Sequence, residues 1–158
     1  MAATYNEASD LVMANDLNLY LTTGKTIIAY ATSCNLDIQS DSIDTSNKMS
    51  PSWKTVRNGG ASYTISAEAL YSVGAEQMSF DKILEMMIAR EPVEWYMGYA
   101  KDAANKDYSL DTQKEYYTGM ASIQSCSLTG GNNEMVSFSI NLEGSGPIKN
   151  KAQAEAAA

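Results

Sequence analysis

Histidine is absent from all 158 residues. That removes every Ser–His–Asp and Cys–His nucleophile system, together with the zinc sites that lean on imidazole. Cysteine is nearly as scarce. Cys34 and Cys126 lie far apart, fit no metal or redox spacing, and read as small apolar core residues. Cations are outnumbered, 11 Lys and Arg against 19 Asp and Glu, for a net charge of −8. A protein that grips nucleic acid needs the opposite balance, because its grip comes from cations neutralising phosphates. No apolar run approaches the roughly 18 residues of a membrane span. Residues 1–10 have neither the basic end nor the apolar stretch of an export signal. The expectation is a chain with no membrane span, made in an intracellular, reducing compartment.

What is present is enough for one domain. A chain of this size hides roughly 70% of its unfolded surface and needs no covalent staples. Its dominant pattern is alternation. Leu17, Leu19 and Leu21 share one face of a short strand, and Ile28, Tyr30, Cys34, Leu36 and Ile38 are in phase behind a turn at Gly24-Lys25. Over residues 62–71, Tyr63, Ile65, Ala67, Ala69 and Tyr71 stand opposite Ser62, Thr64, Ser66 and Glu68. Near the end Val136, Phe138, Ile140 and Leu142 alternate with Ser137, Ser139, Asn141 and Glu143. A period of two marks strands with one buried and one wet face. Residues 93–100 and 116–128 are also strand-like, and Thr129-Gly130-Gly131-Asn132-Asn133 reads as the hairpin turn before the last strand.

One segment breaks the pattern. In residues 79–90, Phe80, Ile83, Leu84, Met87 and Ile88 recur at a helical period. Ser79 suits the N-cap, Asp81 and Arg90 suit the two ends of the dipole, and Pro92 forbids continuation. This is a single amphipathic helix laid on a sheet, with Met86-Met87 as core filler. Three stretches stay polar and irregular: residues 39–60, residues 101–115, and the Ala-rich residues 149–158, read as a flexible tail. An unstructured excursion as long as 39–60 is uncommon inside a compact domain and is usually functional. Ser33-Cys34-Asn35-Leu36 is echoed by Ser125-Cys126-Ser127-Leu128. Corresponding strands of a pseudo-repeated sandwich would explain the echo, and so would coincidence, the simpler account.

Candidate chemistry is thin. Asp37, Asp41 and Asp44 miss the spacing of a calcium loop, and Asp102, Asp107 and Asp111 are spaced too loosely. Gly59-Gly60 lacks the rest of a phosphate-binding fingerprint. No catalytic residue, metal or cofactor is implied. What the chain offers is surface: Ile43, Met49, Trp53 and Tyr108 on polar loops, with Trp a favoured interface anchor.

The same stretches carry a resemblance. Thr32-Ser33-Cys34-Asn35-Leu36 leads to Asp41-Ser42-Ile43-Asp44-Thr45-Ser46-Asn47-Lys48 and then Trp53-Lys54. The strand 62–71 closes on Leu70-Tyr71-Ser72, and Phe138-Ser139-Ile140-Asn141-Leu142-Glu143-Gly144-Ser145-Gly146-Pro147-Ile148 ends the series. This order resembles the major tail protein, or tail tube, family of bacteriophages with long, non-contractile tails. In the closing motif Leu142 stands where an aromatic is common in that family. The resemblance covers about residues 17–148, leaving 1–16 as an N-terminal extension and 149–158 as the tail.

What the resemblance implies is a mainly β, sandwich- or barrel-like domain with one flanking helix at about 79–90 and a long inter-strand loop at about 39–60. Copies would form six-fold rings stacked into a tube that conducts DNA without binding it specifically. Other partners would be tape-measure, tail-terminator and distal-tail proteins, and the location the virion tail, assembled in the host cytoplasm. By position, 39–60 matches the loop that reaches the next ring, with Asp41, Ile43, Asp44, Lys48, Met49, Trp53 and Lys54 as its contact residues. Glu68 and Glu143 are candidates for the lumen. An acidic lumen would repel phosphate. Two alternatives stand beside this. One is a monomeric carbohydrate- or peptide-binding sandwich using Trp53, Trp95 and the tyrosines. The other is the tube of a related phage-like particle or secretion system.

Overall fold

The computed structural model describes residues 17–21, 26–28, 31–49, 52–71, 80–102 and 105–156. Eight strands form one antiparallel sheet: β1 (Leu17–Leu21), β2 (Thr26–Ile27), β3 (Ala31–Asp44), β4 (Val56–Leu70), β5 (Val93–Asp102), β6 (Asp107–Leu110), β7 (Tyr117–Thr129) and β8 (Ser137–Asn150). Their order is β2-β1-β5-β7-β8-β4-β3, with β6 paired to β5 off that path. Helices α1 (Phe80–Ala89) and α2 (Lys151–Ala156) complete the described chain. The turn at Gly24-Lys25, the cap at Ser79, Tyr30 and the extension 1–16 lie outside the described residues.

The sheet curls until its ends approach. The Cys34 thiol on β3 donates to the Leu17 carbonyl on β1 at 3.8 Å. Inside this curve sits the main core. Ile65, Ala67 and Ala69 of β4 meet Phe138, Ile140 and Leu142 of β8, with Trp95 and Val93 of β5 and Leu19 and Leu21 of β1. Alternation on β4 and β8 thus has the phase read from the sequence. On β1 the phase holds too, with Leu17, Leu19 and Leu21 toward this core, but the opposite face is not wet: Tyr20 is buried as completely as Leu19 and Leu21. It enters a second cluster with Tyr96, Leu110 and Tyr116, against which Ala154 of α2 packs. β1 and β5 are therefore covered on both faces.

Helix α1 closes the core from one side through Ile83, which is fully buried, with Phe80 and Met86 against the same cluster. Burying an Ile side chain completely stabilises by about 1.5–3 kcal/mol. The helix stops at Arg90, whose φ of 57° is left-handed and whose N–H bonds the Met87 carbonyl at 3.2 Å. Arg90 is thus the residue that breaks the helix rather than a charge in its last turn, and Pro92 follows.

Three expectations change. Strands reach well into 39–60: β3 runs to Asp44, β4 starts at Val56, and the two remain paired to Asp44↔Val56. The segment 101–115 holds β6. The tail is not loose at its start, because β8 continues to Asn150 and α2 follows. Asn150 Oδ1 accepts the Gln153 N–H at 3.0 Å, and Lys151 Nζ donates to the Gln113 carbonyl at 2.8 Å. A low-complexity sequence became ordered because its first turn is capped and anchored.

Candidate functional site

Two surfaces concentrate the residues singled out from sequence. The first is an arm. Beyond Ser40↔Ala61 the β3–β4 pair continues as a two-stranded ribbon, with an irregularity at Asp41 and pairs Ser42↔Asn58, Ile43↔Arg57 and Asp44↔Val56. The described residues of the tip, 45–49 and 52–55, are held by polar bonds. Thr45 N–H donates to the Thr55 carbonyl at 2.9 Å, Thr55 N–H to Ser46 Oγ at 3.0 Å, and Met49 N–H to Asn47 Oδ1 at 2.8 Å. Ser46 N–H donates to Asp44 Oδ1 at 2.9 Å, and this bond holds the Asp44 carboxyl below its ordinary range. Lys48, Met49, Trp53 and Lys54 all lie in this tip and all are exposed, Met49 at 91% and Trp53 at 84%. Ile43 and Val56 at the tip's base are exposed as well. Order by hydrogen bonds, with apolar side chains facing outward, is how a binding element is built.

The second surface is one face of the strands β3-β4-β8-β7. Successive partners across them form the rows Ser33–Glu68–Ser139–Ser127, Asn35–Ser66–Asn141–Ser125 and Asp37–Thr64–Glu143–Ser122. Every residue in those rows is polar or acidic, and none is basic. Cross-strand bonds tie the rows together: the Ser127 and Ser139 hydroxyls are 2.6 Å apart, and Asn141 Nδ2 donates to Ser125 Oγ at 3.0 Å. Glu68 and Glu143 both stand exposed on this face. Sequence reading did not bring Asp37 or the β7 serines to it. The alternation Ser125-Cys126-Ser127-Leu128 carried that information, unused. The other face of the same strands supplies the row Cys34–Ala67–Ile140–Cys126, so the two Ser-Cys echoes occupy equivalent places on the outer strands.

The outer edges of this four-stranded unit are open among the described residues. β3 pairs with β4 alone, and β7 pairs with β5 only from Tyr117 to Ala121, leaving Ser122–Thr129 bonded on one side. Each outer strand carries one bulged residue, Thr32 on β3 and Gln124 on β7; further register shifts in these two pairings put their extra residues on the inner strands, at 59–60 and 146–148, whereas the β4–β8 pairing is regular.

The scattered loop aspartates cap their own turns. Asp102 accepts from Asn105 N–H, Asp107 from Ser109 N–H and Asp111 from Gln113 N–H, at 3.0–3.2 Å. Among the described residues no group of three or more Cys, Asp or Glu side chains is placed to hold a metal ion. As a ligand platform the chain is also weaker than its sequence suggested. Trp95 is completely buried, its indole N–H donating to the Tyr63 hydroxyl at 3.2 Å, so the binding-module reading loses one of its two tryptophans. The cause is its position on β5, a central strand covered on both faces.

The family model of the phage tail tube protein matches residues 17–150. The chain belongs to that family. It is a structural tube subunit, as the long-tailed-phage resemblance implied. Solved structures of tubes share the tail tube fold. The tail of an empty gene transfer agent particle, determined with C6 symmetry, has a TM-score of 0.70 at 16% identity, covering 88% of this chain and 98% of that one. The SPP1 tail tube gives 0.63 at 12% identity over 89% and 78%. The sheath–tube complex of an extracellular contractile injection system, PVC, gives 0.66 at 12% identity over 94% and 98%. No curated protein sequence matches this chain.

Proposed function

We propose that this subunit builds a DNA conduit by closing six copies into a ring and stacking rings through the arm. Neighbours in a ring join head to tail, the open edge of β3 on one copy meeting the open edge of β7 on the next. Such heterologous contacts close when the rotation per copy divides the circle, and closure covers both open edges of the four-stranded unit. The observation that carries this reading is the four-stranded unit itself, with two open edges, one apolar face and one face of Ser, Asn, Thr, Asp and Glu. Turned inward, that face lines the lumen with Asp37, Glu68 and Glu143 of every copy. Its charge repels the phosphates of passing DNA and offers no base-reading cation. The arm then reaches the neighbouring ring through Ile43, Met49 and Trp53, with Asp41, Asp44, Lys48 and Lys54 setting its polar contacts. Tape-measure, terminator and distal-tail proteins meet the tube inside and at its ends, in the tail of a virion assembled in the host cytoplasm. No step of this role calls for catalysis.

The likeness to a gene transfer agent and to an injection system favours a second reading, the same tube in a phage-like particle. Both readings predict the same assembly, and one experiment tests it. Replacing residues 45–55 by a two-residue turn should leave the circular dichroism and melting of the monomer unchanged and abolish tubes in negative-stain micrographs. Tubes of normal length from that variant would remove the arm from ring stacking. Wild-type protein that stays monomeric at every concentration in size exclusion would remove the tube altogether.

A further inference from the structure

The arm needs a receptor, and charge and apolar surface single one out. Between α1 and the start of β5 lies a groove of about 380 Å³. Its floor is Met86, Val93 and Met120, and the charged residues lining it are Glu85, Glu91 and Glu94. The arm tip is its complement. The charged residues of 45–55 are Lys48 and Lys54, and between them in sequence lie Met49 and Trp53, the most exposed large apolar side chains described. Two other grooves among the described residues lack this match. The one between α1 and β7 is lined by Arg90 as well as Glu91, and the cleft between β1 and β3 carries no charged residue.

We propose that the groove between α1 and β5 of one copy receives the arm tip of another copy, resting on the reading of the arm as the inter-ring element. Trp53 and Met49 enter over Met86, Val93 and Met120. Methionines suit such a floor because their unbranched, polarisable side chains reshape around an incoming ring, and Trp is a favoured anchor for a desolvated pocket. Lys48 and Lys54 then face Glu85 and Glu91 at the rim, where charge sets orientation and encounter rate more than affinity. Glu94 is already engaged, accepting from the Tyr96 hydroxyl at 2.6 Å. It serves as background field and is left intact in the test.

The test is a charge swap on purified full-length protein, read as the pelletable, microscopically tubular fraction at low salt. The variants K48E/K54E and E85K/E91K alter exposed residues and should both remain folded. Each should lower the polymerised fraction roughly tenfold or more, as like charges replace opposite ones across an interface. The four-fold variant combining them should recover tubes to within about twofold of wild type, because the opposite-charge pairing is restored. If E85K/E91K polymerises normally while the arm-shortened chain does not, the arm stands and this groove is not its receptor. If both single-site reversals fail and their combination fails too, the pairing of these charges is wrong. If the arm-shortened chain itself makes normal tubes, the inter-ring reading falls first and this proposal with it.

Discussion

Tyr63 joins four strands from its place on β4. Its hydroxyl donates to the Met120 carbonyl on β7 at 2.5 Å and accepts the Trp95 indole N–H from β5 at 3.2 Å. Its ring lies over Gly144 of β8, where a Cβ would fall 2.2 Å from it, so only glycine fits there. Tyr20 is the opposite case: its hydroxyl is buried with no hydrogen-bond partner among the described residues. One substitution should therefore have two signs. Tyr63→Phe strands the Met120 carbonyl and the Trp95 donor and should cost about 1–3 kcal/mol, whereas Tyr20→Phe removes an unsatisfied donor and should be neutral or stabilising, both read from urea melts. The same environment governs the response to alkali. Burial pushes Tyr20 up to about 12, with the Asp107 charge adding to it, and burial with the Glu94 hydrogen bond and charge pushes Tyr96 to about 12. Both start from 10.0, so between the ordinary and the raised value the folded chain holds more protons than the unfolded one. Stability is then full below about pH 10 and declines as pH rises toward 12. Phenolate absorbance should show these two tyrosines titrating last, together with unfolding. Sequence alternation placed Tyr63 on the core face. Nothing local could show which donor would meet its hydroxyl, because the partners come from strands 32 and 57 positions away.

At the scale of elements, α1 was legible in type and position and only partly in orientation. Period and caps predict an apolar stripe through Phe80, Ile83, Leu84, Met87 and Ile88. The observed contact face is Phe80, Ile83, Met86 and Met87, while Ile88 is 71% exposed. The helix rests mainly against β7 and one flank of the core, so it buries a narrower stripe than its sequence provides. Ile83→Ala should thus cost about 2–5 kcal/mol, and Ile88→Ala, one turn on in the same predicted stripe, should stay within about 0.5 kcal/mol by thermal melting. The arm was misjudged for a related reason. A period-two signal exists only where one face of a strand is dry, and between Ser40 and Ala61 both faces are wet. Ladder bonds form there without leaving a hydrophobic trace, so the segment reads as a polar loop although much of it is strand.

The whole molecule was the least legible scale. Individual strands, the hairpin turn read at residues 129–133 and the mainly β class follow from composition and alternation, and the family order of motifs supplied the rest. Strand order did not, because β1 pairs with β5 across more than 70 residues and β4 with β8 across a similar span. Only that order shows Glu68 and Glu143 sharing a face with Asp37, and only it shows which edges stay open. Those edges have a kinetic meaning. Each carries one bulge, at Thr32 and at Gln124, while the inner β4–β8 pair is regular, and a bulged edge is a poor template for a passing strand. In the proposed assembly, two free copies meeting in solution would gain one imperfect contact, whereas a copy arriving at a finished ring would gain that contact plus an arm seat. Polymerisation followed by light scattering should therefore show a lag that sheared tube fragments abolish. A subunit with this property can accumulate in quantity and wait, its growth started by a platform and its timing left to whatever supplies the first ring.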